Sequence, residues 1–275
     1  MFGFPVAPRP SGFQLQQNLL RTVVFQIKFP PIADVVARQA ELQAALQEDF
    51  PRIQEVKYQD VSVAFVDQTP IVSAQQSNTE ALEFQSEDQQ MIFSVKNDEL
   101  SLTILGTRYL NFEAVQQDLQ RSIYRVAQLF GLTTLTRTAI RKINLINFQS
   151  GQQPFSTEAI YRSVFNNFLT LSAAAVPAAP YMLSGISNYR YHHGTHRLNL
   201  VYGLLPEPAA DGARQFVLDI DLANTASTQS YEEVTADFAA LNAEVFNVFS
   251  WSINQSLVEL LNSTPPTAEF PSAVK

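Results

Sequence analysis

Two aspartates, two arginines and three histidines carry the chemistry legible in this sequence. Asp219 and Asp221, in the run Leu218-Asp-Ile-Asp-Leu222, are one residue apart, so on a strand they share a face while Phe216, Leu218, Ile220 and Leu222 take the other. Two carboxylates in that arrangement are what metal-dependent phosphoryl transfer uses to hold Mg²⁺. Solvent-facing alternation explains them equally, and the sequence identifies no third carboxylate to complete a metal site. Arg137 and Arg141, in the motif Arg-x-x-x-Arg-x-x-Asn144, share a face of a second strand. Their forked guanidinium groups could clamp an anionic ligand or form an internal ion pair, with Asp219 or Asp221 as partners. The ion pair is the preferred reading, because a buried arginine needs a partner and an acidic chain supplies many. His192, His193 and His196 flank Gly194-Thr195. In a two-residue hairpin turn His193 and His196 face each other and His192 points to the other side, so a metal there would need a further donor. A polar hairpin tip is the alternative, and it is still a contact surface.

The elements that must position these residues centre on the stretch from Tyr109 to Phe148. Phe112, Val115, Leu119, Ile123, Val126 and Phe130 recur at three- and four-residue steps, which predicts a helix with Asn111 as its N-cap and Gly131 as its end. Leu132 to Phe148 then reads as a long strand rich in β-branched residues. Arg137, Ala139, Arg141, Ile143 and Leu145 fall on one side of it.

Alternation predicts a first strand from Leu19 to Phe29, stopped by Pro30-Pro31, and a helix from Asp34 to Glu48 with Val35, Leu42, Ala45 and Leu46 inward. A second strand runs from Val56 to Val66, and the segment between Asp67 and Asn78 is expected to be polar and turn-like. Leu82–Gln85 is a short strand, and Met91–Val95 with Leu100–Leu105 form a hairpin. In the second half Ser156 caps a helix with Ile160, Val164, Phe168 and Leu171 inward. Tyr181 to Tyr202 is a hairpin, Gln215 to Leu222 a strand, and a long helix carries Val234, Phe238, Leu241, Val245, Phe249 and Ile253 onward to Leu261. Ser230 and Glu233 have capping-box spacing. Glu232, Glu233 and Asp237 near that helix start need only the helix dipole as explanation. Phe246, Phe249 and Trp251 spread too widely for one narrow stripe, so they and the three histidines form a candidate interaction surface.

The order is α+β: two packed lobes of largely antiparallel sheet, each covered by helices, ending in a long C-terminal helix. The soft boundary at Gln149-Ser-Gly-Gln-Gln-Pro154 divides an N-terminal lobe, 14–150, from a C-terminal lobe, 151–262, with proline-rich tails at 1–13 and 263–275. An arm such as 1–13 needs a partner surface to become ordered.

With 18 basic against 26 acidic residues the formal charge is −8, which argues against a scaffold held to nucleic acid by phosphate contacts. The absence of cysteine excludes disulfides, thiolate metal sites and cysteine nucleophiles. No secretory signal is read at the N-terminus and no membrane span anywhere, so the expectation is a cytoplasmic protein. Only nine glycines occur, and no glycine-rich phosphate loop, nucleophile elbow or His-Glu-x-x-His motif is present.

Val24-Phe25-x-Ile27-x-Phe29-Pro30, Phe50-Pro51, Tyr109-x-x-Phe112, Arg137-x-x-x-Arg141-x-x-Asn144 and Leu218-Asp-Ile-Asp221, in this order, resemble a sporadically distributed prokaryotic family of unassigned function. The resemblance covers the chain up to the C-terminal helix and implies an accessory protein with no catalytic residues to carry over. The functional expectation is a non-enzymatic binding or assembly protein acting on a protein partner or on itself, with no cofactor. The alternative is a metal-dependent enzyme acting on nucleotides or nucleic acid, using Mg²⁺ at Asp219 and Asp221.

Overall fold

The computed structural model describes residues 1–7, 19–33, 35–66, 69–148, 164–166, 169, 185–205, 214–226 and 231–254, with the backbone alone at 57–66, 69–80, 147, 148, 214, 231 and 232. Strand β1, Leu20–Lys28, buries Val23, Phe25 and Ile27 on one side and turns Val24, Gln26 and Lys28 to the other. After the prolines a short 3-10 turn, Val36–Arg38, leads into α1, Gln39–Leu46, which buries Leu42 and Leu46. This helix is shorter than the sequence pattern predicts. Arg38 leaves helical geometry, and its guanidinium is engaged by Glu41 one turn on.

The next two strands are the largest departure from expectation. β2 spans Arg52–Val66 and β3 spans Thr69–Gln85, paired antiparallel from Arg52↔Gln85 to Val66↔Thr69 with one register shift between Tyr58 and Asp60. The polar stretch after Asp67 is therefore strand and not an extended turn. The short strand at Leu82–Gln85 is only the end of it. Gln75-Gln76-Ser77-Asn78 contains no Gly or Pro to break a ladder, and polarity alone does not stop pairing. β4, Met91–Val95, and β5, Glu99–Leu105, complete a meander.

Helix α2, Phe112–Phe130, starts as its sequence demands: Asn111 is extended and its side chain accepts from Ala114 N at 2.8 Å. It ends at Gly131 with φ of 61°, the left-handed conformation that glycine adopts without strain. Strand β6 covers Arg137–Phe148, five residues later than the predicted start. Leu132 and Leu135 instead fill the core on the way in, and Thr136 N bonds Lys28 O. β7, Gly185–His193, and β8, His196–Leu204, form a hairpin, followed by β9, Arg214–Asn224, and helix α3, Tyr231–Ser252. The expected helix at Ser156–Leu171 lies almost wholly outside the described residues, as does Ser230, and the last helix stops at Ser252 short of the expected Leu261, because Ile253 leaves it to bridge Phe165.

The nine described strands form one antiparallel sheet in the order β2-β3-β4-β5-β1-β6-β9-β8-β7. β5 returns beside β1 and β9 beside β6, and the β1–β6 ladder from Leu20↔Asn144 to Lys28↔Arg137 joins the two halves into one sheet. The helices lie on the face carrying Phe25. That ring meets Tyr109, Phe112 of α2 and Phe238 of α3 at 6.4, 5.9 and 5.6 Å, so one side chain ties both helices to the sheet centre. None of the three described helices is long and apolar enough to cross a membrane.

Residues 1–7 pack on α3. Phe2 N donates to Glu244 Oε1 at 3.0 Å, Ala7 N donates to Asn247 Oδ1 at 3.1 Å, and the Phe4 ring meets Trp251 edge-on at 5.1 Å. The surface that orders this part of the arm belongs to the chain itself.

Candidate functional site

Strands β6 and β9 pair in a register that sets Arg141 opposite Asp221 and Ile143 opposite Asp219. Side chains opposite one another on paired strands share a face, so Arg137, Arg141, Asp219 and Asp221 stand together on the face away from the three described helices. β8 extends the row: Asn199 is opposite Asp221, Arg197 opposite Ala223, and on β7 Arg190 is opposite Asn199.

Arg141 does not bond the residue directly across from it. Its Nε donates to Asp219 Oδ1 and Oδ2 at 3.0 and 3.1 Å, and its Nη2 donates to Oδ2 at 2.6 Å. The pair is lopsided in exposure: the Asp219 side chain retains 8% of its accessible surface and that of Arg141 retains 50%. These hydrogen bonds, ahead of the opposing effect of burial, raise the Arg141 pKa. Arg137 Nη2 reaches diagonally to Asp221 Oδ1 at 3.6 Å, an ionic contact too long for a hydrogen bond. Burial pushes the Asp221 carboxyl above its ordinary range, with Arg137 and then Arg141 pulling the other way. Beside it the Asn199 Oδ1 is buried without a hydrogen-bond partner. The group is therefore two arginines and two carboxylates paired along two diagonals that slant the same way, one pair tight and one loose.

A divalent ion at Asp219 would have to displace Arg141 from both carboxylate oxygens. Among the described residues no group of three or more His, Asp or Glu side chains converges on a point where a metal could sit. Asn144 does not join the arginines. Three residues from Arg141 it falls on the helix-covered face, buried, with Nδ2 donating to Leu218 O at 3.1 Å. Strand parity alone carries that separation.

The histidines sit at the β7–β8 turn. His193 and His196 pair across it, while His192 pairs with Arg197 on the arginine face, its Nε2 2.6 Å from Gly194 O. His193 meets the Phe2 ring edge-on at 6.4 Å, so the N-terminal segment bridges α3 and the hairpin tip. Phe249 and Trp251 are partly buried against the core, and Trp251 is covered by Phe4.

A further polar group escapes the sequence reading. Lys142 follows Arg141 and so turns to the opposite face, under α2 and α3. Its Nζ donates to Asn242 Oδ1 at 2.8 Å and lies 4.9 Å from the centre of the Tyr109 ring. Two adjacent basic residues in an apolar strand must face opposite sides, and that was the available signal.

No family model matches the chain, and no curated protein matches it.

Proposed function

We propose that the chain is a non-enzymatic binding or assembly protein, a cytoplasmic accessory protein of the prokaryotic family its motifs resemble, which engages a protein partner or further copies of itself. The observation that supports this is the β2–β3 ribbon. Its strands pair with each other from Arg52 to Val66, yet β3 meets β4 only at Leu82–Gln85. Over the remaining length each strand has a single neighbour among the described residues, and two-stranded ribbons are marginal in water on their own. A ribbon of that length is stabilised by what it packs against, and a partner chain supplies it. In this reading β1–β5 and β6–β9 act as two lobes of one sheet, the first carrying the ribbon, and the diagonal Arg–Asp pairs hold the second rigid.

The test is mass. Purified gently from its native host, the full chain should run in a species heavier than its own 30.7 kDa. A variant joining Tyr58 to Thr79 through an Asn-Gly turn, which trims the ribbon at a paired position, should return to the monomer mass with its melting temperature kept. A wild-type chain that runs at 30.7 kDa when purified gently from its native host would overturn the proposal.

A further inference from the structure

Among the described residues the sheet ends at β7, a long edge strand that Phe2 meets at His193. Nine residues run from Gly185 to His193, with Asn188, Arg190, His192 and His193 exposed, Ile186 48% exposed and Tyr191 36%. No described strand lies beyond it. Edge strands of this kind present alternate backbone N–H and C=O groups for another strand to pair with, and proteins usually shorten, bulge or cover them. This one is nine residues long, pairs with β8 without a register shift, and has no described strand beside it.

The two faces of the edge differ in chemistry. On one, Tyr191 stacks on Tyr189 at 6.4 Å and Tyr189 on Tyr202 at 6.0 Å, an aromatic row that reaches the open side of the strand. On the other, Arg190 stands opposite Asn199 and Arg197 opposite His192, with the half-exposed Arg141 further in along the same face. Among the described residues Arg190 has neither an ionic nor a hydrogen-bonding partner. Arg197 donates only to the carbonyls of Gly194 and His196 in its own turn. Arg141 is neutralised by Asp219, so the positive charge beside this edge comes from Arg190 and Arg197, on a chain whose formal charge is −8.

We propose that β7 is a strand-addition site for an extended segment of a partner protein that carries carboxylates at alternate positions with apolar residues between them. Backbone groups of the segment pair with the β7 edge. Its carboxylates fall on the face of Arg190 and Arg197, and its apolar side chains lie beside Tyr189 and Tyr191. A second copy of β7 is a poorer occupant. A two-fold axis through the strand centre brings two Arg190 side chains opposite or diagonal to each other, and like charges so placed repel. The site names the chemistry of the partner and so rests on the binding reading above, while using the edge opposite the ribbon.

Labelled nine-residue peptides, capped at both ends and alternating Glu with Val or Lys with Val, are titrated into the full chain at low ionic strength and followed by fluorescence anisotropy. The glutamate peptide should bind at least about tenfold more tightly than the lysine peptide, and Arg190→Glu should reverse that order. Arg190 is exposed, so this variant should melt with the wild type. N-methylation of alternate residues along one edge of the glutamate peptide should abolish binding while methylation along the other edge should not, a signature that needs no protein variant. Failure of both peptides to bind, equal binding of the two, or indifference to which edge is methylated overturns the proposal. So does a wild-type dimer that Arg190→Glu dissociates or strengthens without any peptide. If the peptides fail while the ribbon-dependent mass is still observed, the binding reading stands and only the assignment of β7 falls.

Discussion

Arg141 passes over Asp221, the residue directly opposite it on β9, and closes its fork on Asp219 two positions along, while Arg137 leans in the same direction to reach Asp221. A planar fork needs both carboxylate oxygens in its plane. The diagonal leaves one carboxylate almost enclosed and the other loosely held, and the two respond differently to mutation.

Arg141→Ala removes the partner of a nearly buried carboxylate. Breaking a fully buried pair costs about 3–5 kcal/mol; with the guanidinium half exposed, the expected loss is about 2–3 kcal/mol. Arg141→Met keeps the aliphatic stem but strands the same acid, so it should lose a similar amount, and Arg141→Lys about 1 kcal/mol because charge survives without the fork. Thermal melts with and without phosphate check this. A held or raised melting temperature in Arg141→Ala would mark the arginine as a ligand clamp.

Asp221→Asn should behave in the opposite sense. Burial raises the folded-state pKa of Asp221, so the folded chain holds that proton more firmly than the unfolded one. Its contribution to stability is complete below the ordinary carboxylate value of about 3.9 and is lost as pH rises through the raised value. Asparagine does not ionise and escapes that loss. The variant should match or exceed the wild-type melting temperature near pH 8, with the gap closing below about pH 4. A variant less stable near pH 8 would show that the contact with Arg137 outweighs desolvation.

Two glycines mark close approaches of the backbone. At Gly203, with φ of 145°, an added Cβ would come within 2.0 Å of Gly185 O on β7, and at Gly106 within 1.5 Å of Leu20 O. Carbonyl oxygens in a ladder cannot yield as a flexible side chain does, so either alanine substitution should cost about 2–4 kcal/mol. Gly203→Ala should also loosen β7, read as faster amide exchange at Gly185–His193. Unchanged exchange would mean the hairpin relaxes elsewhere.

The single tryptophan reports on the N-terminal segment. Phe4→Ala uncovers Trp251 and should shift its emission to the red, at a cost of about 0.5–1.5 kcal/mol for the aromatic pair. Deleting residues 1–7 should cost more, because Glu244, buried on α3, also loses the Phe2 N–H. Emission that ignores both changes would place the segment elsewhere in solution.

The sequence made some of this structure readable and hid the rest for identifiable reasons. α2 was legible because its cap, apolar stripe and terminal glycine agree, and β1 and β5 because period-two alternation leaves one face buried. β3 was hidden because its glutamines and serines resemble a loop when a strand has a second described neighbour along only part of its length. Arginines and aspartates on common faces followed from spacing, but the diagonal pairing did not, since it depends on the β6–β9 register, which no local pattern encodes. The role of β7 was equally out of reach, because whether a strand ends a sheet is decided by the order of all the others.

Hydrogen exchange along the ribbon tests the central claim most directly. Among the described residues, amides at 57–66 and 69–80 have only each other as ladder partners. They should exchange quickly in the purified monomer and slow by at least about tenfold in the species isolated from the native host, where a partner covers them. Equal exchange in the two preparations would contradict an assembly role for this chain.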